Sequence, residues 1–434
     1  MSEAVAVAPR TPRAKTGLGL LVLAMVVSLA AFAAAGFGLK GRAPRDNYTY
    51  GAILVAANVG AWLVIRLAAR RADPVLFPTA ALLGGLGLAM LYRLRPEVWV
   101  EQAVWLLVGL GALVLVLLLV RDDRQLDAYT YTLGLVGVIL LFLPVVPGVG
   151  REINGARLWV DIGGVSFQPA EFAKIFIVVF LASYLSAKRE LLAAGSGRLG
   201  LPRVKDLGPL LLAWGASLAV LFLERDMGAS LLFFGVFVVM VWVASGRPGY
   251  LLVGMVLFAA GAAIGYLAFS HVQLRVDYWL NALDPAKVHD IGYGQLAQGW
   301  FGMASGGLVG TGLGQGSPTL IPYVGSDFIF AAFGEELGMI GASGLLLLYL
   351  VLIGRGLRVA IERTDSFGKL LATGITTIFA LQTFAIVGGV TRLIPLTGVP
   401  LPLVSYGGSS RVATYVMLAL LLRVSAGPWE RSHG

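Results

Sequence analysis

The amino-acid sequence predicts an all-α polytopic membrane protein with about 12 transmembrane helices. Of its 434 residues, 58% are hydrophobic and only 13% are charged. The mean hydropathy is +0.83, far above that of ordinary soluble domains. Apolar runs of about 20 residues, the length of a helix that crosses the hydrocarbon core, recur from one end of the chain to the other.

Each apolar run is interpreted as one helix. The runs are residues 16–39, 50–68, 74–92, 98–120, 129–147, 166–186, 208–223, 228–245, 249–270, 327–354, 369–390 and 404–424. The first run is longer than the apolar region of a signal peptide, so we expect it to be a retained span. The chain has no cysteine and three histidines, which excludes disulfides and cysteine metal sites and disfavours a histidine metal cluster.

Lysine and arginine residues predict the orientation, because they are retained on the cytoplasmic side. With a cytoplasmic N terminus, the inside segments carry 20 of these residues and the outside loops carry 11. We therefore expect both termini in the cytoplasm. The net charge of +9 is explained mostly by this bias, so a nucleic-acid partner is not expected.

On this topology the longest loop, residues 271–326, is extracytoplasmic. It holds ten glycines between Gly292 and Gly316. Glycine-rich backbone of this kind suits close packing over other helices or the lining of a cavity. A nucleotide-binding loop is disfavoured, since no strand precedes the Gly-x-Gly pattern.

Several arginines lie beside short outer turns. Guanidinium groups pair bidentately with phosphate, so these arginines favour a polyanion at the interface. Ordinary solvated loop charge is the alternative for each one taken singly. The candidates are Arg157, Arg225, Arg275 and Arg392.

The sixth span contains "SFQPAEFAKIFIVVF", which places Glu171 and Lys174 on one helix face at i,i+3. An ion pair would lower the energetic cost of either charge in the bilayer. Intramembrane ionisable groups mark functional sites, and a purely structural helix clamp remains an equal alternative. Pro169 suits the first turn of this helix.

Asp327 stands at the outer mouth of the tenth span, in the apolar stretch "YVGSDFIFAAF". Burial there would raise its pKa and make it a better general base. Ser326 and Asp327 would equally suit a helix N-cap, and both interpretations stay open. Glu335 and Glu336 lie two turns further on, and we expect them to be structural.

Four separated motifs resemble the RodA/FtsW/SpoVE family of bacterial cell-wall proteins, the SEDS family. They are "RLWVDIGGVSFQPAEFAKI", "ERDMGAS", "DFIFAAFGEELGMIG" and "TRLIPLTGVPLPLVSYGGSS". The likeness runs from about residue 74 to 424, and spans three to twelve correspond to the family's ten. The implied organisation is a cytoplasmic tail with two extra helices (1–72), a ten-helix core (73–425) and a cytoplasmic tail (426–434), as in a RodA-like member.

The resemblance implies a peptidoglycan glycosyltransferase of the bacterial cytoplasmic membrane, acting in cell elongation, shape or division. It would polymerise lipid II, an undecaprenyl-pyrophosphate-linked substrate, at the outer face, surrounded by membrane lipids. The expected partner is a class B penicillin-binding protein, which supplies transpeptidation. Two alternatives are a lipid II transporter and a non-catalytic scaffold for the penicillin-binding protein.

By the same resemblance, Asp327 occupies the position of the family's catalytic aspartate. Asp226 falls on the acidic residue of its Pro-Asp-Leu-Gly motif. Residues on its fourth-span motif are Arg157, Gln168, Pro169, Glu171 and Lys174. Gln168 and Pro169 are expected to be structural, and the charged residues are candidates for substrate binding.

Transfer from a lipid pyrophosphate needs a base for the acceptor hydroxyl and positive charge or a divalent cation, Mg or Mn, for the leaving group. Whether a metal takes part stays open. The candidate cations are Arg157, Lys174, Arg225, Arg275 and Arg392. Three positions depart from the family pattern: Gly325 replaces a histidine, Arg225 replaces a proline, and Arg411 replaces an apolar residue. We expect Arg411 to snorkel to the outer interface.

Overall fold

A computed structural model describes residues 13–41, 47–153, 156–194 and 208–427. Within these ranges, eleven helices are long and apolar enough to cross a membrane. A shorter apolar helix occupies the predicted seventh span. The prediction of a polytopic helical protein with about 12 spans is confirmed. The terminal tails, residues 1–12 and 428–434, lie outside the described residues.

The helices agree closely with the predicted runs, except where noted below. They are α1 (Arg13–Lys40), α2 (Asn47–Ala68), α3 (Leu76–Leu94), α4 (Trp99–Leu119), α5 (Thr130–Phe142), α6 (Pro169–Ala187), α7 (Arg189–Ala194), α8 (Gly208–Leu223), α9 (Met227–Ser245), α10 (Gly249–Ala268), α11 (Ser270–Leu280), α12 (Ile291–Gly306), α13 (Ile329–Glu362), α14 (Ser366–Val390) and α15 (Gly408–Ala426).

Helices α3, α14 and α15 form the centre of the bundle, and each is largely buried. Helix α10 lies at the periphery and exposes leucines such as Leu252 and Leu267, as a lipid-facing helix should. Two buried hydroxyls of α14 bond within their own helix: Thr373 donates to the Lys369 carbonyl and Thr377 to the Thr373 carbonyl, each at 2.8 Å.

The first two helices pack against the rest of the bundle, α1 along α3 and α2 along α4. Near its end, α1 approaches the glycine-rich loop closely. A β-carbon at Gly38 would lie 2.4 Å from the Leu313 carbonyl oxygen and 2.5 Å from Gly314 Cα. Glycine at position 38 therefore permits this contact.

A small antiparallel sheet precedes α6, where the all-helical prediction has only a loop. Its strands are β1 (Gly150–Ile153), β2 (Ala156–Ile162) and β3 (Val165–Phe167), in the order β1-β2-β3. Gly163 and Gly164 join β2 to β3 with φ angles of +60° and +84°. Such two-residue turns need positive φ at both positions, which explains the glycine pair.

The long loop 271–326 is more ordered than the sequence suggests, because it contains α11 and α12. The glycines of α12 allow it to press against α13. A β-carbon at Gly299 would lie 2.8 Å from the Phe328 ring, and one at Gly306 would lie 2.1 Å from the Gly334 carbonyl oxygen. The glycine-rich segment therefore packs closely over another helix, as predicted. Its first part forms helix α12 and is not irregular.

Helix α13 is longer than the predicted run 327–354 and is broken at Gly338, whose φ is +67°. Residues 307–312 run beside the break. The Gly312 amide donates to the Glu336 carbonyl at 2.9 Å, and the Met339 amide donates to the Gly307 carbonyl at 2.9 Å. These bonds satisfy backbone groups that the break releases, which a bilayer would otherwise leave unpaired.

Candidate active site

Asp327 lies immediately before α13 and is partly buried. The N-cap residue of α13 is Phe328, and no side chain caps this end. Of the two interpretations left open by the sequence, the structure therefore does not use Asp327 as a cap. Its carboxylate is available for another role.

The backbone around Asp327 is held by the last of the four motifs. The Ser405 hydroxyl donates to the Ser326 carbonyl at 2.7 Å, and the Tyr406 amide donates to the Gly325 carbonyl at 2.8 Å. Phe328 is fully buried on the other side. These contacts fix the position of the aspartate from both sides.

Gly325 is buried two residues before Asp327. A β-carbon there would lie 3.1 Å from Cδ of Arg95, whose guanidinium stands 5.5 Å from the centre of the Tyr406 ring. Arg95 thus lies against Gly325 and places a cation near the site.

Burial raises the pKa of Asp327 above its ordinary value. The charge of Arg275 and a hydrogen bond from Ser326 oppose the rise, and the charge of Asp226 adds to it. A carboxylate with a raised pKa is a stronger base than an ordinary aspartate, provided that it is ionised.

Asp226 is the N-cap of α9, and its Oδ1 accepts the Ala229 amide at 2.9 Å. Burial raises its pKa as well, and the neighbouring charges that act on it are those of Arg275 and Glu171. Arg275 therefore lies near both aspartates. Its Nη1 donates to the Leu396 carbonyl at 2.8 Å, which leaves other donors of the guanidinium for a ligand.

Glu171 and Lys174 form a buried ion pair with 2.7 Å between Oε2 and Nζ. The two side chains line a small cavity together with Gln168, Asp226 and the backbone of residues 398–400. The cavity joins the sixth-span motif to the aspartate at the start of α9. Three separated sequence motifs thus meet at this cavity.

The other candidate arginines differ in their surroundings. Arg157 and Arg225 both approach the carboxylate of Glu152, at 3.2 Å and 3.9 Å. The pKa of His271 is lowered by burial and then by the charges of Arg275 and Arg225. Arg157 and Arg225 therefore lie beside Glu152, and the charges of Arg225 and Arg275 both act on His271.

Arg392 has different contacts. Its Nε donates to the Trp279 carbonyl at 2.7 Å, and its Nη2 donates to the Leu280 carbonyl at 2.8 Å. The guanidinium also stands 5.6 Å from the centre of the Trp300 ring. Arg392 thus caps the C-terminal end of α11, and the structure does not bring it into the group around Asp327.

Glu335 and Glu336 bind the glycine-rich loop. Glu335 Oε1 accepts the Ser317 amide at 2.6 Å, and Glu336 Oε2 accepts the Gly314 amide at 3.0 Å. Glu336 also pairs with Arg93 at 2.8 Å. Gln168 is the N-cap residue of α6, and its backbone amide donates to Ser409 Oγ at 3.0 Å. Pro169 is the first residue of the helix.

Three residues of this region are absent from the candidates that the sequence provides. Glu224 is fully buried, its carboxyl oxygens have no hydrogen-bond partner among the described residues, and burial raises its pKa to about 9. His271 faces the arginines, and Arg93 pairs with Glu336. The available signal for Arg93 is a charge directly after the apolar run 74–92, and for Glu224 a carboxylate in a very short turn.

Among the described residues, no group of three or more histidine, aspartate or glutamate side chains could hold a metal ion. Asp226 and Asp327 are two nearby carboxylates, the number that Mg²⁺ often takes from a protein when substrate phosphates supply the remaining ligands. The described residues thus provide no complete metal site, and a divalent cation here would need most of its ligands from the substrate phosphates.

Comparison with known proteins defines the class. Residues 78–428 match the family model FTSW_RODA_SPOVE, described as "Cell cycle protein". The peptidoglycan glycosyltransferase RodA of Mycobacterium tuberculosis (strain H37Rv) is 45% identical over 98% of this chain and 93% of its own length. The probable peptidoglycan glycosyltransferase FtsW of Geobacter metallireducens is 34% identical over 75% of this chain and 84% of its own length.

Two solved structures are also similar. One, described as "Structural coordination of polymerization and crosslinking by a peptidoglycan synthase complex", has a TM-score of 0.67 and 30% identity, covering 82% of this chain and 97% of the other. The rod shape determining protein RodA of Thermus thermophilus has a TM-score of 0.59 and 28% identity, covering 83% and 98%.

The chain belongs to the FtsW/RodA/SpoVE family, as its motifs predict. It is a multi-pass protein of the cytoplasmic membrane. The prediction of a peptidoglycan glycosyltransferase is confirmed by the RodA and FtsW relatives. The transporter and scaffold alternatives are not favoured.

Proposed function

We propose that this protein polymerises lipid II into glycan strands at the outer face of the membrane, with Asp327 as the general base. The observation that carries the proposal is the position of Asp327: partly buried, free of a capping role, and grouped with Arg275 and Asp226. The names of the relatives support the reaction class.

The reaction forms one glycosidic bond, breaks one bond between sugar and phosphate, and transfers one proton to Asp327. Asp327 removes the proton from the acceptor 4-hydroxyl, whose oxygen then attacks the anomeric carbon of the donor sugar. The bond from that carbon to the pyrophosphate breaks, and the electron pair leaves with the phosphate oxygen. The lipid pyrophosphate departs with the added negative charge, which a fixed cation can stabilise.

Arg275 is the preferred cation for the leaving pyrophosphate, because its charge acts on both aspartates. Arg225 and Arg157 add positive charge beside Glu152, which lies in strand β1. Lys174 has its charge balanced by Glu171, and the pair holds the wall of the cavity beside Asp226. Arg392 has a structural role, since it caps α11.

Asp226 has two functions in this scheme. It caps α9, and its charge adds to the rise in the pKa of Asp327. Glu335 and Glu336 act structurally by binding the loop that covers the break in α13. Gln168 and Pro169 begin α6 and so position the Glu171–Lys174 pair.

The proposed orientation places both termini in the cytoplasm and Asp327 outside, in accordance with the lysine and arginine bias. Residues 1–72 then add a tail and two helices to the core of residues 73–425, and residues 426–434 form the second tail. The proposed partner is a class B penicillin-binding protein, supported by the likeness to a complex that couples polymerisation and crosslinking.

The test uses the full chain in proteoliposomes with labelled lipid II and a class B penicillin-binding protein of the same organism. Glycan strands are resolved by electrophoresis, and lipid II movement across the bilayer is measured in the same vesicles. We expect strands that lengthen with time and that fail to form when this chain is omitted. Movement of lipid II without strand formation would contradict the proposal and favour the transporter.

A further inference from the structure

A second polar cavity lies at the opposite end of the helices from Asp327. Helix α13 begins just after Asp327 and ends at Glu362; the cavity is at this far end and measures about 870 Å³ with its open mouth included. The turn before α3 and the ends of α13 and α15 form its walls. Because spanning helices end here, the cavity lies where the bilayer meets water.

The charged lining of this cavity is mostly basic. Among the described residues that line it, carboxylates are fewer than cations, and every cation is an arginine. The charged residues are Arg71, Arg355, Arg358, Arg363, Asp73 and Glu362. Asp123 and Asp365 outside the lining both pair with Arg363, so the charges of the cluster balance. An anion is therefore favoured by the geometry of the guanidinium groups and not by net charge. Guanidinium groups recognise phosphate bidentately, which lysine ammonium groups do not.

Internal ion pairs fix the arginines in place. Asp73 pairs with Arg355, and the Arg363 Nη2 atom lies 2.8 Å from Asp123 Oδ2 with only 8% of the side chain exposed. Arg358 pairs with Glu362 at 2.7 Å and remains 60% exposed. Arg363 also pairs with Asp365 at 2.7 Å and donates to the Val424 carbonyl. The donors left for a ligand are therefore those of Arg355 and Arg358, each of which pairs with one carboxylate.

Arg355 provides a second indication of an absent ligand. Its Nε atom is buried and has no hydrogen-bond partner among the residues that the structure describes. A buried donor without a partner is energetically costly. An anion in the cavity would increase the number of acceptors close to this guanidinium.

We propose that this cavity binds the phosphate headgroup of an anionic membrane lipid. The depth of the cavity matches that of lipid phosphates, and basic pockets between spanning helices favour anionic headgroups. A free phosphate compound shares the same chemistry, so the experiment separates the two sources. The site is far from Asp327, and the proposal does not depend on the proposed catalytic function.

The experiment measures lipid binding by native mass spectrometry of the full chain, with phosphatidylglycerol and phosphatidylcholine as probes. We expect wild type to retain phosphatidylglycerol in preference to phosphatidylcholine. The double variant Arg355→Gln/Arg358→Gln should lose this preference, with affinity falling on the order of tenfold. Arg124→Gln is the matched control, because Arg124 is exposed at the same end and does not line the cavity.

Three results would overturn the proposal. They are equal binding of the two lipids by wild type, an equal loss in the control variant, and full displacement of phosphatidylglycerol by inorganic phosphate at the same concentration. The last would assign the cavity to a free anion. If the double variant does not fold, Arg358→Gln is measured alone, because it changes only an exposed side chain. It should reduce the preference for phosphatidylglycerol by a smaller factor.

Discussion

Nε of Arg93 lies 2.8 Å from Oε1 of Glu336, with 9% and 0% of the two side chains exposed. Arg93 also donates from Nη2 to the Gly316 carbonyl at 2.8 Å, and Glu336 accepts the Gly314 amide. The ion pair thus ties α3, the glycine-rich loop and the first half of α13 together.

Breaking this pair should destabilise the protein. Arg93→Met leaves the Glu336 charge buried and unpaired, which costs about 3–5 kcal/mol. Thermal unfolding in detergent measures the loss as a lower Tm. Arg95→Met is the control, since Arg95 forms an exposed pair with Glu97 of about 1 kcal/mol or less. Equal Tm values for the two variants would contradict the assigned role of Arg93.

The Glu171–Lys174 pair should tolerate the loss of both charges better than the loss of one. Lys174→Met leaves a buried carboxylate without its partner and should lower Tm and glycan synthesis together. The double variant Glu171→Gln/Lys174→Met should recover most of the Tm, because removing both partners avoids an unpaired charge. A double variant less stable than either single variant would show that the pair is not the main interaction of these residues.

Arg275 should set the pH dependence of glycan synthesis. Its positive charge stabilises ionised Asp327 and so lowers the pKa, against the rise caused by burial. Arg275→Gln therefore raises the pKa, and a smaller fraction of the base is ionised at a given pH. The acid limb of the profile of kcat/KM against pH should move to higher pH.

The matched control for this profile is Arg151→Gln, which removes an exposed arginine paired with Asp161 at 3.2 Å. Its acid limb should coincide with that of wild type. If Arg275→Gln lowers the rate by the same factor at every pH, Arg275 acts on the pyrophosphate alone and not through Asp327.

The contact of α1 with the glycine-rich loop should be sensitive to side-chain size. Gly38→Leu places a β-carbon against the Leu313 carbonyl, and overpacking of this kind costs about 1–3 kcal/mol. Gly19→Leu is the control in the same helix, where a β-carbon would meet nothing within 4 Å. Thermal unfolding should show a loss for position 38 only; a similar Tm for both would mean that α1 is not docked as described.

Much of the fold can be predicted from hydropathy, because a bilayer requires long apolar helices. The break at Gly338 cannot be predicted from hydropathy. It depends on backbone hydrogen bonds with residues 307–312, which lie far from Gly338 in the sequence. Helix α12 is hard to predict because it is rich in glycine, which has a low helix propensity. These glycines allow close packing against α13. The Gly163-Gly164 pair indicates a tight turn between two strands before α6. The hydropathy pattern alone does not show this sheet.

The site is harder to predict than the fold. Asp327 is recognisable as a charge at the mouth of an apolar run, but its neighbours depend on how the helices pack. The expectation for Arg411 is wrong: only 1% of the residue is exposed, and it donates to the Gln102 and Ser405 carbonyls at 3.4 Å and 3.5 Å. Position along one helix does not reveal that α4 and α15 enclose this side chain.

The most direct test of Asp327 is the initial rate of glycan synthesis from lipid II by Asp327→Asn, at equal amounts of folded protein. The amide keeps the size of the side chain and removes the base. We expect a fall of about 100-fold or more, the range for loss of a general base. Asp290→Asn is the control, because Asp290 is exposed and makes no capping bond to α12. Equal rates for Asp327→Asn and wild type would contradict the assignment of Asp327 as the base.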